Sequence, residues 1–204
     1  MSYVQPNQTL LNPAGPGSNA HYVQATHPPH PPLFDFQIPN SLTLADGRKA
    51  KRVPRPQGIT PFSADRDVQF RTNNWPGVRV KDILKNNLIV DKSLDLVFAN
   101  TGWRQTCLAL EWPGYMPSSY YSRYFDVSTE GRLMNRQEFA QTIACHIVDL
   151  YNDAKGKPIA HGCEEWAFNQ NNVRPSDVII LSAHHYPATS GRKGKWVPEL
   201  YVIV

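Results

Sequence analysis

The clearest periodic pattern in the chain runs from residue 135 to residue 155, where apolar residues recur at the spacing of an α-helix. Its first residues form a capping box, in which the Asn135 side chain accepts from a free backbone N–H and Glu138 reaches back to another. Gly156 offers a left-handed C-terminal cap, and Pro158 prevents continuation of the helix. The pattern predicts one amphipathic helix over about residues 135–155. Its apolar stripe comprises Phe139, Ala140, Ile143, Ile147, Leu150, Tyr151 and Ala154.

The same helical wheel places two reactive side chains away from that stripe. Cys145 falls nearly opposite the apolar residues and is expected to be exposed, while His146 falls at the boundary. A second, shorter helix is predicted from Val80 to about Leu88, since its apolar residues also follow helical spacing.

Four runs outside these helices carry the signature of β-strands. Residues 105–112 alternate, and residues 120–127 form an aromatic run, so the pair predicts a hairpin with a long loop. Residues 177–185 and 196–204 are rich in β-branched and apolar residues and flank a turn-forming stretch, which predicts a C-terminal hairpin. Because Pro198 cannot donate to a ladder, the last strand is expected to be an edge or to carry a bulge there. In the first run, one face comprises Leu108, Leu110 and Trp112, and the other Cys107, Ala109 and Glu111.

The distribution of proline divides the chain in two. Eleven of the eighteen prolines lie in residues 1–61, which are predicted to be a largely extended or disordered arm. Within it, the Pro-His run from His27 to Phe34 favours polyproline II, either as a spacer or as a recruitment motif. Residues 62–204 are predicted to be a single α+β domain, a mainly antiparallel sheet with the long amphipathic helix packed on one face.

Composition indicates where the protein is located better than it indicates what the protein does. The formal net charge is +4, the first residues lack the pattern of a secretory signal, and no run reaches the roughly 18 apolar residues of a membrane span. The three cysteines are an odd number and far apart, which favours reduced thiols. The sequence therefore predicts a soluble intracellular protein, cytoplasmic or nuclear, that does not act at a membrane.

Two basic stretches raise the possibility of a polyanionic partner, because closely spaced cations attract phosphate. Nucleic-acid binding and nuclear import are both open interpretations, and a solvated basic linker is the simpler one. The basic residues are Arg48, Lys49, Lys51, Arg52 and Arg55 in the arm, and Arg192, Lys193 and Lys195 near the C-terminus.

A cysteine–histidine site is the alternative that would make the protein an enzyme. Cys163 would need an imidazole to lower its pKa, and His161 or His184 could serve in a hydrolase or transferase. Zinc is not expected, because paired ligands at short spacing are missing and consecutive His184 and His185 point to opposite faces of a strand. None of the common nucleotide-binding or hydrolase motifs occurs, so no metal or cofactor is expected.

Aromatic residues close to arginine form the third candidate site. Most are expected in the core, with Tyr120 and Tyr121 expected as exceptions, because adjacent strand residues cannot both face inward. The leading hypothesis is a non-catalytic binding or regulatory domain that uses this hairpin to contact a protein partner, in an oligomeric state that the sequence leaves open. The candidate contact residues are Trp112, Tyr115, Tyr120, Tyr121 and Arg123.

Two short stretches together resemble uncharacterised intracellular proteins of mushroom-forming fungi. They are Trp112-Pro113-Gly114-Tyr115 and the start of the long helix, Asn135-Arg136-Gln137-Glu138-Phe139-Ala140. The resemblance implies a lineage-restricted intracellular domain. It implies no activity, substrate or site residue.

Overall fold

The computed structural model describes residues 8–11, 21–24, 38–55, 64–115, 121–188 and 194–204. The chain divides into two compact units, Met1–Ile38 and Pro39–Val204. In the first unit, β1 (Gln8–Leu11) and β2 (His21–Gln24) form an antiparallel pair. The predicted polyproline run from His27 to Phe34 lies outside the described residues.

The second unit contains two α-helices and the remaining strands. The helices are α1 (Val80–Leu84) and α2 (Arg136–Ala154), and two short 3-10 segments span Glu164–Trp166 and Pro175–Asp177. The strands are β3 (Ser41–Thr43), β4 (Lys49–Arg52), β5 (Arg66–Gln69), β6 (Arg71–Thr72), β7 (Trp75–Pro76), β8 (Val78–Arg79), β9 (Gln105–Ala109), β10 (Ser122–Asp126), β11 (Ser128–Thr129), β12 (Arg132–Leu133), β13 (Val178–Tyr186) and β14 (Lys195–Ile203).

One mainly antiparallel sheet organises this unit. Its strand order is β10-β9-β14-β13-β5, with β4 on β14, β3 on β4 and β8 on β13. The pairing of β14 with β9, at Trp196 and Leu108, is parallel, whereas the other ladders of this sheet are antiparallel. The α+β prediction is confirmed, including both predicted hairpins.

Pro198 lies inside the sheet, in a gap between two neighbours of β14. On one side of the strand it faces Ala183 of β13. On the other side, β9 meets β14 at Trp196, and β4 pairs with it from Tyr201 onward. The strand is therefore not an edge along its length, and the proline sits where its outer side changes partner.

The long helix begins and packs as the sequence predicts. The Asn135 side chain accepts from the Glu138 N–H at 2.9 Å, and the Asn135 N–H donates to Glu138 Oε2 at 2.8 Å, which completes the capping box. Phe139 is fully buried, with ring centroids 5.3 Å from Phe98 and 5.2 Å from Trp196. Tilted and edge-on aromatic contacts of this kind add to the burial of apolar area. They fasten α2 to one face of the sheet.

Two boundaries differ from those that the pattern indicated. The helix α1 ends at Leu84 rather than near Leu88, and Asn86 has a φ of 53°, a left-handed conformation that helices do not continue through. Residues 41–52, placed in the arm by their composition, instead form β3 and β4, and β4 pairs with β14. The three cations of β4 resemble a solvated linker when only their charge is considered.

Among the residues that the structure describes, no helix combines the length and the apolar character that a bilayer crossing requires.

We expect loss of the capping box to weaken the whole unit, because α2 covers the core. Asn135→Ala should lower the free energy of unfolding by about 1 kcal/mol, while Asn135→Ser, which keeps a capping oxygen, should change it much less. Urea denaturation of both variants measures the difference. Equal destabilisation by alanine and serine would contradict a capping role.

Candidate functional site

A β-bulge in β13 decides which side chains meet on the two faces of the sheet. Ile180 pairs with Leu200 and Ser182 pairs with Glu199, so Leu181 is an extra residue without a partner in the β14 ladder. Side chains alternate along a strand, and the extra residue turns Ser182 and those that alternate with it away from α2. Without the bulge, Ser182 would share the face of Ile180.

The two adjacent histidines point to opposite faces, as predicted, and the bulge sets which of them lies on the α2 side. His184 faces away from α2, where its Nε2 lies 2.9 Å from Ser182 Oγ in a hydrogen bond. Burial lowers the pKa of His184. His185 lies against Trp103 and its Nδ1 is 2.6 Å from Asp65 Oδ1.

The face that carries His184 also holds a continuous network of buried charges. Glu199 is fully buried and accepts from Arg52 at 2.8 Å and from Arg55 at 3.0 Å. Arg55 also donates to Glu111 at 3.0 Å, and Glu111 accepts from Lys195 at 2.9 Å. Opposite charges therefore alternate along the chain of contacts, which offsets their desolvation.

Arg55 is the central member of this network. Its side chain is only 6% exposed, and its Nη1 donates to both the Tyr186 hydroxyl (2.7 Å) and Glu199. Burial alone would lower the pKa of Arg55, but Glu111, Tyr186 and Glu199 together raise it. The guanidinium thus joins three strands of the sheet, β9, β13 and β14, through side chains on or beside them.

The basic stretches are largely neutralised within the fold. Besides Arg52, Arg55 and Lys195, Arg48 pairs with Asp46, and Lys51 pairs with Glu165 at 2.6 Å. Lys49 is exposed on β4. Arg192 and Lys193 lie outside the described residues.

The candidate catalytic residues have separate hydrogen-bond partners. His161 is fully exposed and its Nδ1 lies 3.1 Å from Glu164, whereas His184 is bonded to Ser182. Cys163 is partly buried and packs against the apolar core on the α2 face of the sheet. Neither of these two imidazole contacts involves Cys163. The described part of the chain contains no group of three or more His, Cys, Asp or Glu side chains that could hold a metal ion.

Most of the candidate aromatic residues lie in the core rather than on a surface. Trp112 is buried and donates from Nε1 to the Trp166 carbonyl at 2.8 Å, and the Tyr115 hydroxyl accepts from the Phe168 N–H at 3.0 Å. Tyr121, expected from the sequence to lie outside the core, is buried in it, so that prediction is wrong. The indole N–H of Trp112 and the hydroxyl of Tyr115 thus have hydrogen-bond partners inside the fold, so both side chains can be buried without an unpaired polar group. Tyr120 lies outside the described residues.

Arg123 is the one described candidate of this group that is exposed. It lies on β10, where its side chain is 57% exposed and its guanidinium is 3.6 Å from Asp153 of α2. The next residue, Tyr124, is 53% exposed. Both exposed residues thus lie on β10, the outer strand of this hairpin.

Beside that strand, α2 and the segment 125–134 enclose a cleft of about 390 Å³. The strand side of the cleft is formed by Phe125, Thr129, Arg132 and Met134. The helix side is formed by Glu138, Gln141, Thr142, Cys145, His146 and Asp149. The helix residues follow a spacing of three and four, so they form a polar stripe beside the buried one. That spacing is visible in the sequence, whereas the strands that face it are not.

Two titratable groups that line the cleft have shifted pKa values. Cys145 is exposed, as the helical wheel predicted, but partial desolvation beside the cleft walls raises the pKa of its thiol, and the carboxylate of Asp149 raises it further. Burial lowers the pKa of His146, an effect that Asp149 opposes. The Nδ1 atom of His146 is buried and has no hydrogen-bond partner among the described residues. Both shifts favour the uncharged form of the group, a protonated thiol and a neutral imidazole.

Comparison with known protein families, with curated proteins and with solved structures finds no match for this chain.

We expect the buried charge network to be sensitive to loss of a single partner. Glu199→Gln keeps the shape but leaves Arg52 and Arg55 without their shared carboxylate, and should lower the free energy of unfolding by about 3–5 kcal/mol. Glu165→Gln, which removes the half-exposed pair with Lys51, should cost less than about 1 kcal/mol. Chemical denaturation measures both. Similar small losses for the two variants would show that the network contributes little.

The neutral His184 should make stability depend on pH. Its pKa is lower in the folded state than the unfolded value near 6.5, so the unfolded chain binds the proton first and stability falls as pH decreases through that range. The curve for His184→Gln should be flatter between about pH 7 and pH 5.5, above the range where ordinary carboxylates titrate. Denaturation at a series of pH values measures the slope. Parallel curves for wild type and variant would contradict a neutral buried His184.

Proposed function

We propose that the protein is a non-catalytic binding domain that holds an extended segment of a protein partner against β10 and places one side chain of that segment in the α2 cleft. The observation that carries this proposal is the position of the cleft. It opens beside β10, so a strand added there would run along its rim.

The backbone of β10 supports the addition of a strand. Within the described chain, β10 pairs with β9 alone, over Ser122–Asp126 and Gln105–Ala109. A strand at a sheet edge presents N–H and C=O groups on its outer side that another extended chain can pair with. The exposed Arg123 and Tyr124 are placed to contact such a chain through their side chains.

The cleft supports the specific part of the interaction. Its volume of about 390 Å³ is toward the small end of the range for ligand pockets and is enough for one large side chain. Phe125 and Met134 give it apolar walls, while Glu138, Gln141 and Asp149 give it polar groups. Backbone pairing then supplies affinity, and the cleft selects the inserted side chain.

The contact region is still the hairpin of β9 and β10, as the sequence predicted, but the contacts now fall on exposed residues of β10 rather than on the buried aromatic residues. Trp112, Tyr115 and Tyr121 shape the hairpin from inside, and the outer strand carries the contacts. The partner remains a protein, as the sequence suggested.

No comparable observation favours the alternatives. For the enzyme alternative, His161 and His184 are hydrogen-bonded to Glu164 and Ser182, and neither contact involves Cys163. For nucleic acid, the cations of the first basic stretch are mostly held in ion pairs, and Arg55 is buried. A phosphate backbone binds to cations that are exposed and close together.

Filling the cleft tests the proposal. Heptapeptides selected from a random library on the immobilised full chain should bind the protein in solution. Cys145→Trp, which introduces a large side chain into the cleft, should weaken their binding at least about tenfold, which is ~1.4 kcal/mol. Fluorescence polarisation with labelled peptides measures the affinity.

Asn152→Trp is the matched control, because it places the same side chain on an exposed position of α2 that does not line the cleft. It should leave binding unchanged. Equal affinity for both variants and wild type, or a library from which nothing is retained, would overturn the proposal.

A further inference from the structure

The cleft and its rim are acidic on a protein that is basic as a whole. Around the cleft lie two arginines, Arg123 and Arg132, and four carboxylates. This excess of two negative charges contrasts with a formal net charge of +4 for the chain. The carboxylates are Glu130 in the turn between β11 and β12, Glu138 and Asp149 in the lining, and Asp153 one turn further along α2.

Half of these carboxylates already have a cationic partner. Glu138 is paired with Arg132, and Asp153 with Arg123. Among the described residues, no ion pair involves Asp149 or Glu130. Of these two, Asp149 lines the cleft directly, and its field acts on both Cys145 and His146.

The wall opposite Asp149 suits the stem of a long basic side chain. Phe125 lies on β10 and its ring centroid is 6.5 Å from that of His146, so the ring forms one side of the cleft. Methylene groups pack on such a ring while the charge at their end stays near a carboxylate, and the face of the ring itself attracts a cation. Met134 extends the apolar wall.

We infer that the cleft selects a basic side chain, lysine or arginine, in the extended segment that binds at β10. The inference rests on the proposed function and specifies the chemistry of its partner. The charged end of the side chain pairs with Asp149, and its stem lies against Phe125 and Met134.

A pair of isosteric peptides tests this inference directly. Ac-Val-Arg-Val-amide and Ac-Val-citrulline-Val-amide differ in charge but hardly in shape. Titrated into the isotopically labelled full chain, the arginine peptide should shift the amide signals of Phe125, Thr142 and Asp149, and bind about tenfold or more tightly than the citrulline peptide. Its advantage should shrink as salt is raised, because the pair is partly exposed.

Asp149→Asn then assigns the preference to one carboxylate. The substitution keeps the size of the side chain and should remove most of the difference between the two peptides. Glu165→Gln, which neutralises a carboxylate paired with Lys51 elsewhere on the surface, is the control and should leave the difference intact. Thermal unfolding of each variant checks that the fold is unchanged.

The outcomes distinguish failure of the basic side-chain preference from failure of extended-segment binding. If both peptides bind equally, in wild type and in Asp149→Asn, and Cys145→Trp abolishes their binding, the inference is wrong and the proposed function stands. If neither these peptides nor the selected heptapeptides shift signals of the cleft, both are wrong. If free arginine amide binds as tightly as the peptide, the site takes a small cationic ligand and the extended partner is excluded.

Discussion

The ladder between β13 and β14 is the constraint on which the rest of the structure depends. Each strand is nine residues long, and together they contact β4, β5, β8 and β9. A single extra residue, Leu181, sets the phase of everything after it in β13. It leaves Ile180 and Ala183 in the core under α2 and sends Ser182 and His184 to the other side. A strand with strict alternation could not supply both surfaces in this arrangement.

The two faces of that ladder are both buried but are stabilised by different physics. Under α2, interlocked aromatic rings around Phe98 and Phe139 exclude water and need no orientation of charge. On the other face, Glu111 and Glu199 are as buried as any core leucine, so Arg55 must neutralise them where it lies. The first face tolerates gradual change in packing, whereas the second depends on every partner being present.

The sequence predicts the helices and strands far better than the contacts that these elements make with one another. Periodicity identifies α2 and its Asn135 cap, because helix and cap are local and the residues that make them are neighbours. It does not identify the bulge at Leu181, since an apolar residue fits either face of a buried strand. Charge misleads for Lys51 and Arg52, whose cations meet carboxylates more than a hundred residues away. The cleft has one wall that is visible as a helical stripe and another that only the folded chain brings opposite it.

Glu138 belongs to three structures at once. It completes the cap of α2 through the Asn135 N–H, pairs with Arg132 of β12, and forms part of the cleft. A ligand that paired with the Glu138 carboxylate would break the cap of α2 and the ion pair with Arg132. Part of its binding free energy would therefore be lost in destabilising the protein. Asp149 takes part in neither a helix cap nor an ion pair among the described residues. In the cleft, Glu138 thus stabilises the fold, whereas Asp149 is available to a ligand. The two carboxylates lie about three turns apart on α2.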